Sequence, residues 1–222
     1  MSATDSSIAD QVAELHQASA TQLPAEVAAA FADEQRGLGA AGLPAGIAVP
    51  GQPMPDGKLL DVNGQPTTLA EARAGRPAVV VFYRGAWCPY CDIALRTYQA
   101  QLVPELTGRG MPLIAVSPQT PDGSLSTQQA KDLTFTVLSD PGSQIAGQLG
   151  ILTGPTEAVA RAQAQLGLDL TQVNADGTRG LPMPSVVIVD AAGVIRWIDV
   201  HPNYATRTEP ADILSAVTAM SG

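Results

Sequence analysis

The chain has 222 residues, of which 45% are hydrophobic and 4% aromatic, enough apolar material for one domain with extensions rather than two full domains. Its formal net charge of −9, from 12 basic and 21 acidic residues without a basic cluster, argues against nucleic acid and anionic membrane surfaces as partners. No apolar stretch approaches the roughly 18–20 residues of a membrane-spanning helix. Residues 1–11 are polar and acidic and show no secretory pattern, so we expect a cytoplasmic protein.

The first fifty residues predict a helical extension. Apolar residues recur at helical spacing in two segments separated by a Leu-Pro break, residues 8–15 and 25–36. Residues 37–57 are dense in glycine, alanine and proline, which is typical of a linker or loop. We therefore expect an extension and linker over residues 1–50, followed by one domain over residues 51–222.

Strands and helices alternate through the middle of the chain. Asn63-Gly64 predicts a short hairpin. The predicted strands after it are 78–83, 111–116 and 135–138, and the predicted helices are 89–98, 124–133 and 143–149. This alternation indicates parallel β-α-β units and an α/β sandwich.

Residues 152–182 interrupt the alternation and are predicted to be an insertion before the last pair of strands. The insertion is expected to hold a helix at 155–166 and a loop at 169–180. The last predicted elements are strands at 185–190 and 194–200 and a closing helix at 210–220. The two strands should pair antiparallel because their connection is short.

Cys88 and Cys91 are the only cysteines in the chain, and they lie in W-C-P-Y-C between a predicted strand and a predicted helix. With Cys88 as the N-cap and Pro89 as the first helical residue, free N–H groups and the helix dipole would stabilise a Cys88 thiolate. In Cys-X-X-Cys motifs the thiol pKa falls from about 8.5 to about 3.5–7.5. Cys91 shares a helix face with Cys88 and can form a disulfide with it. The motif predicts thiol redox chemistry in which Cys88 attacks and Cys91 resolves.

Other uses of the cysteine pair compete with this interpretation. A zinc site needs four ligands, but the chain has no second cysteine pair, and His16 and His201 lie far from the motif in sequence. A structural disulfide or a pair of inert buried thiols is a further alternative. The aromatic and proline neighbours favour the redox interpretation. Without a histidine near Cys88, a Cys-His hydrolase is disfavoured.

The order of elements resembles the thioredoxin fold. Residues 22–27, 82–91, 138–142, 181–184 and 204–210 resemble a bacterial peroxiredoxin-like branch of the alkyl hydroperoxide reductase/thiol-specific antioxidant family. The resemblance covers nearly the whole chain and implies a thioredoxin-like α/β sandwich with a mixed central sheet. It also implies reduction of hydrogen peroxide and organic hydroperoxides, through a sulfenic acid on Cys88 and a disulfide with Cys91. Thioredoxin or a similar dithiol would be the reductant, with no metal or organic cofactor.

The sequence also departs from the family pattern. Typical members carry P-x-x-x-T/S-x-x-C, whose hydroxyl helps to hold the peroxide, but Val81 and Gly85 occupy these positions before Cys88. The arginine that members place before the penultimate strand is replaced by Pro184, which is the thioredoxin arrangement. We therefore predict a cis Met183–Pro184 bond that presents the Met183 backbone beside Cys88. An ordinary trans proline is the alternative.

The predicted substrate site combines Met183 and Pro184 with Arg84, Gly85 and Trp87. Arg84 is the nearest cation in sequence and would replace the missing arginine, or else face solvent. Trp87 would shield the thiols and shape a docking surface, or simply pack. His201 is expected to be a loop residue.

Two further functions are weighed against a peroxidase. One is a thioredoxin-like protein disulfide oxidoreductase that uses the same cysteine pair, and the other is a non-enzymatic redox sensor or binding module. The N-terminal helices and the insertion are candidates for covering the site or for a homodimer contact.

Overall fold

A mixed sheet of seven strands forms the centre of the computed structural model, which describes residues 6–19 and 22–220. In chain order its strands are β1 (Leu59–Leu60), β2 (Pro66–Thr67), β3 (Ala78–Phe82), β4 (Leu113–Ser117) and β5 (Thr136–Ser139). A separate antiparallel pair follows, β6 (Leu152–Thr153) and β7 (Leu181–Pro182), and then the last strands of the main sheet, β8 (Ser185–Val189) and β9 (Ile195–Val200). The sheet order is β2-β1-β5-β4-β3-β8-β9, in which β3 pairs parallel with β4 and antiparallel with β8. The predicted α/β fold with a mixed central sheet is confirmed.

Helices cover both faces of this sheet. They are α1 (Ile8–Ser19), α2 (Ala25–Ala41), α3 (Leu69–Arg73), α4 (Pro89–Thr97), α5 (Val103–Gly108), α6 (Pro121–Ala130), α7 (Gln144–Gln148), α8 (Glu157–Gln165), α9 (Leu170–Val173) and α10 (Pro210–Ala219). A π-helical turn over Tyr98–Leu102 joins α4 to α5, and a 3-10 turn over Pro141–Ser143 precedes α7. No helix in the described part of the chain combines the length and the apolarity needed to cross a membrane.

The main predicted elements are confirmed, with differences at their ends. Helix α2 continues through two glycines of the predicted linker to Ala41, because the alanines and the leucine around them favour helix. Helix α6 begins at Pro121, three residues earlier than predicted, since proline suits the first turn. The predicted loop 169–180 contains the short helix α9, which Asp169 caps by accepting the Thr171 N–H at 2.9 Å.

Strand β3 is apolar on both faces because each face lies under a core. Alternate side chains of a strand point to opposite sides of the sheet. Val79 and Val81 pack in one core with α1, α4 and α10, and this core includes both cysteines. Val80 and Phe82 pack in a second core with α3 and α7. The strand therefore directs the chain into the interior just before the W-C-P-Y-C motif.

A tight turn after β3 places the cysteines at the start of α4. Gly85 in this turn has a φ of +153°, and a Cβ atom there would lie 2.5 Å from Nε1 of Trp87. Glycine alone tolerates both conditions. Gln119 anchors the turn, since its Oε1 accepts the Ala86 N–H at 2.8 Å and its Nε2 donates to the Tyr83 hydroxyl at 2.8 Å.

The N-terminal helices are attached to the domain by carboxylates. The Glu209 side chain accepts the Ile8 N–H at 3.0 Å and the Ala9 N–H at 2.9 Å, which caps the first turn of α1. The buried Glu34 side chain of α2 accepts the Thr156 N–H, at the start of α8, at 2.6 Å. The extension is thus connected both to the closing helix and to the predicted insertion.

We expect Gly85→Ala to lower the free energy of unfolding by about 1–3 kcal/mol, because the alanine strains the backbone and displaces the Trp87 indole. Urea unfolding followed by tryptophan fluorescence measures this change. Gly147→Ala is the matched control, since a Cβ atom there meets no atom within 4 Å. Equal destabilisation of the two variants would contradict a special need for glycine in the turn.

Glu209→Ala should destabilise α1 and cost about 0.5–2 kcal/mol, because two N–H groups of the first turn lose their acceptor. Urea unfolding gives the free energy, and hydrogen exchange of the α1 peptide shows whether the loss is local. Glu14→Ala removes an exposed carboxylate from the same helix and should change neither measurement. A similar loss in this control would show that charge, rather than the cap, holds α1.

Candidate active site

Cys88 and Cys91 lie together at the start of α4 as free thiols, and each is only 1% exposed. Cys88 is the N-cap and Pro89 the first helical residue, as predicted. The Cys88 sulfur, however, accepts no capping hydrogen bond. The N–H groups of Cys91 and Asp92 instead donate to the Cys88 carbonyl, both at 3.0 Å. The helix start therefore supplies no direct donor to the sulfur that was expected to receive one.

The donors converge on Cys91 instead. The Arg84 backbone N–H lies 3.4 Å from the Cys91 sulfur. The Arg207 guanidinium donates from Nη2 to the same sulfur at 3.3 Å and lies 4.0 Å from the sulfur of Cys88. One cation thus contacts both thiols and approaches Cys91 more closely.

The electrostatics distinguishes the two sulfurs. Burial raises the pKa of Cys88 well above its usual value, and the hydrogen bond with Cys91 raises it further. Burial also opposes ionisation of Cys91, but the hydrogen bond from Cys88 and the charge of Arg207 hold the Cys91 pKa well below its usual value. The expectation of a lowered pKa at Cys88 is therefore wrong. The groups that favour a thiolate surround Cys91.

Arg84 is buried rather than facing solvent. Its guanidinium carbon lies 4.0 Å from the ring centroid of Tyr204 and 5.0 Å from that of Trp87. Trp87 in turn packs against the core that contains both cysteines. The backbone N–H of Arg84 therefore contacts Cys91, while the Arg84 side chain packs against two aromatic rings, those of Trp87 and Tyr204.

The predicted cis bond before Pro184 is wrong, since every peptide bond within residues 6–19 and 22–220 is trans. The Met183 N–H donates to the Ile151 carbonyl at 2.7 Å, and the Met183 carbonyl accepts the Ser185 hydroxyl at 2.8 Å. The bond to Ile151 continues the pairing of β6 with β7. The Met183 backbone groups that a substrate would use are therefore occupied.

A small cavity lies beside Cys91, with room for about one water molecule. Arg207, Pro184, Tyr98 and Thr208 contribute to its lining together with Cys91. Of the residues predicted for the substrate site, Pro184 thus lies next to the reactive pair.

The loop after β9 holds Arg207 in place. Arg207 Nη1 donates to the Thr206 carbonyl at 2.7 Å. Asp199 accepts the Thr208 hydroxyl at 2.8 Å and contacts His201 Nε2 at 3.0 Å, which fastens the loop to the strand end. The hydrogen bond with His201 contributes most to lowering the pKa of Asp199. His201 is a loop residue as predicted, and it helps to position the arginine.

The N-terminal helices cover the cysteine turn at Tyr90. The hydroxyl of Tyr90 lies 2.9 Å from His16 Nε2 of α1 and accepts from Gln35 Nε2 of α2 at 3.1 Å. The ring of Tyr90 also contacts that of Tyr204. This contact with both helices explains in part why the sulfurs are inaccessible.

Sequence reasoning did not assign a role to Arg207. Residues 204–210 resemble the family, and this resemblance is the sequence signal that lies at Arg207. Arg207 lies 116 positions from Cys91, so no local spacing could pair them.

Comparison with known proteins identifies the family of this chain. The model of the AhpC/TSA family matches residues 50–198, which is more than half of the chain. A Mycobacterium tuberculosis protein with a provisional peroxiredoxin name is 32% identical over 96 residues, which cover 43% of this chain and 60% of that protein. The chain thus matches less than two thirds of the length of this relative.

Solved structures show the same fold. The crystal structure of reduced Prx3 from Vibrio vulnificus in complex with hydrogen peroxide superposes with a TM-score of 0.62 at 19% identity, covering 77% of this chain and 99% of that one. Peroxidoxin BcpB from Mycobacterium tuberculosis gives a TM-score of 0.58 at 16% identity, covering 77% of this chain and 97% of that one. The resemblance expected from the sequence is confirmed, and the chain belongs to the AhpC/TSA family.

Proposed function

We propose that this protein is a thiol-dependent peroxidase that reduces hydrogen peroxide and organic hydroperoxides through Cys88 and Cys91. The observation that carries the proposal is the Arg207 guanidinium within 4.0 Å of both buried sulfurs, next to a cavity of about one water molecule. A cation favours the thiolate that attacks a peroxide. The small cavity favours a small substrate.

The chemistry runs in two steps. A thiolate attacks one oxygen of the O–O bond, becomes a sulfenic acid and releases water or an alcohol. The second thiol condenses with the sulfenic acid and forms the disulfide with loss of water. Thioredoxin or a similar dithiol protein then reduces the disulfide by exchange. The scheme needs neither a metal nor an organic cofactor.

We also propose the remaining assignments made from the sequence. Residues 1–50 form the extension and residues 51–222 the peroxidase domain, with the insertion at 152–182. The substrate site is shaped by Arg84, Gly85, Trp87 and Pro184. Met183 supports this site through the hydrogen bond of its backbone N–H to Ile151. Two free thiols of this kind suit a reducing compartment, which favours a cytoplasmic location.

A protein disulfide oxidoreductase is the second candidate, because a free Cys-X-X-Cys pair at a helix start is also suited to thiol–disulfide exchange. Such an enzyme must bring a sulfur into contact with another protein. Both sulfurs are 1% exposed here, and the Met183 N–H is occupied by Ile151. In this reduced, buried form the pair suits a small oxidant such as a peroxide better than a protein disulfide, whereas a dithiol reductant meets the pair only after its disulfide has formed.

A coupled assay tests the proposal. The full-length protein is incubated with thioredoxin, thioredoxin reductase, NADPH and either hydrogen peroxide or cumene hydroperoxide. We expect peroxide-dependent NADPH oxidation by the wild type and its loss in a variant that lacks both thiols, Cys88→Ser with Cys91→Ser. Arg196→Gln is the control, since Arg196 pairs with Asp190 at the opposite end of β8 and should leave activity unchanged.

Reduction of insulin disulfides is measured in parallel. Insulin reduction without any oxidation by peroxide would overturn the peroxidase and support the second candidate. Stoichiometric oxidation by peroxide without turnover would retain the peroxidase but exclude thioredoxin as its reductant.

A further inference from the structure

We infer that Cys91, rather than Cys88, is the sulfur that attacks the peroxide, and that Arg207 and the Arg84 N–H select it. The inference rests on the proposed peroxidase function and reverses the roles expected from the sequence. It also makes Arg207 a catalytic residue, because its guanidinium contacts the reacting sulfur.

The hydrogen-bond donors favour a thiolate at Cys91 over one at Cys88. A thiolate is favoured where donors and positive charge are closest. Cys91 receives one donor from a guanidinium at 3.3 Å and one from a backbone N–H at 3.4 Å. Cys88 has the same guanidinium at 4.0 Å and no capping donor. The negative charge of the pair is therefore better stabilised on Cys91.

The position of the cavity also favours Cys91 as the attacking sulfur. The cavity beside the pair is lined by Cys91 and Arg207, together with Tyr98, Thr208 and Pro184. A peroxide oxygen in this space meets the Cys91 sulfur and the guanidinium at once. The cation would then lie next to the oxygen on which charge develops in the transition state.

The proton on Cys88 completes the reaction. The Cys91 thiolate forms an S–O bond with one peroxide oxygen, and the O–O electron pair leaves on the other oxygen. That oxygen takes the proton of the Cys88 thiol and departs as water or an alcohol. The Cys88 thiolate then attacks the Cys91 sulfur, forms the S–S bond and expels hydroxide. A Cys88 that retains its proton until this moment is suited to both tasks.

Other ionisable groups also lie near Cys91. Tyr83 is buried and its pKa is raised to about 12, and burial also raises the pKa of Tyr98. Asp199 and Glu209 lie close enough to Tyr98 for their charges to raise its pKa as well, and the Arg84 guanidinium packs against Tyr204 and Trp87. The groups that lower the pKa of Cys91 are chiefly Cys88 and Arg207.

Single-cysteine variants test the assignment. Reduced full-length Cys88→Ser and Cys91→Ser are each mixed with one equivalent of hydrogen peroxide and dimedone, and the labelled peptide is identified by mass spectrometry. We expect rapid labelling of Cys91 in Cys88→Ser. Labelling of Cys88 in Cys91→Ser should be at least about 10-fold slower. A difference of one unit in pKa changes the thiolate fraction by up to about tenfold.

Arg207 is tested in the Cys88→Ser background through the pH dependence of Cys91 alkylation by iodoacetamide. Arg207→Gln should move the midpoint upward by about 1–3 pH units, because an opposite charge at this distance lowers a thiol pKa by that amount. Arg207→Lys keeps the charge and should move it less, which preserves the test if Arg207→Gln unfolds. Arg196→Gln should not move it. A merely structural role for Arg207 would slow alkylation at every pH without moving the midpoint.

The outcomes separate this inference from the proposed function. Fast peroxide oxidation of Cys88 in Cys91→Ser, with slow oxidation of Cys91 in Cys88→Ser, overturns the inference and leaves the peroxidase intact. Absence of any peroxide reaction in the wild type overturns both. An unchanged alkylation midpoint in both Arg207 variants overturns the part assigned to the arginine.

Discussion

The site depends on one contact, that of the Arg207 guanidinium with two buried sulfurs. A cation taken partly out of water requires compensating partners. Arg207 finds them in the sulfurs and in carbonyls of its own loop. Two hydrogen bonds to the neighbouring Thr208 hold the loop in place. Tyr98 donates to the Thr208 carbonyl at 2.7 Å, and Asp199 accepts the Thr208 hydroxyl. The anchoring of this loop at Thr208 therefore positions the Arg207 guanidinium next to the two sulfurs.

The fold explains why the pair is buried. A central strand with a core on each face must end in the interior, and the Gly85 turn then directs the chain into α4 without reaching the surface. Helices α1 and α2 contact Tyr90 above this turn. The cavity beside Cys91 has room for about one water molecule, so a small oxidant is better matched to it than a protein is. The two halves of the proposed reaction therefore place different steric demands on the same site.

Local patterns predicted much of this architecture. The apolar run of β3, the Asn-Gly hairpin and the proline after Cys88 each depend on neighbouring residues, so the sequence was sufficient for them. The prediction of a cis bond before Pro184 was wrong, and the Met183 N–H bonds to Ile151 of another segment, a contact that local spacing does not indicate. Arg207 was missed for the same reason. Long-range contacts carry no signal in local spacing.

The family pattern can be counted back from either cysteine, and the two counts assign different roles to the pair. Counted back from Cys91 instead of Cys88, the P-x-x-x-T/S-x-x-C pattern places Arg84 at the proline position and Cys88 at the hydroxyl position. The choice between the two counts depends on which sulfur receives the donors. Only the folded chain shows this, because the guanidinium comes from beyond β9.

The arginine also has a consequence for the energetics of the redox cycle. A cation that stabilises a thiolate stabilises the reduced protein and does little for the neutral disulfide, which leaves Arg207 without its anion. Stabilising the reduced state makes a disulfide a stronger oxidant, that is, one with a higher reduction potential. In the proposed cycle, the charge that prepares the sulfur for peroxide thus also supplies driving force for the return of electrons from a dithiol donor.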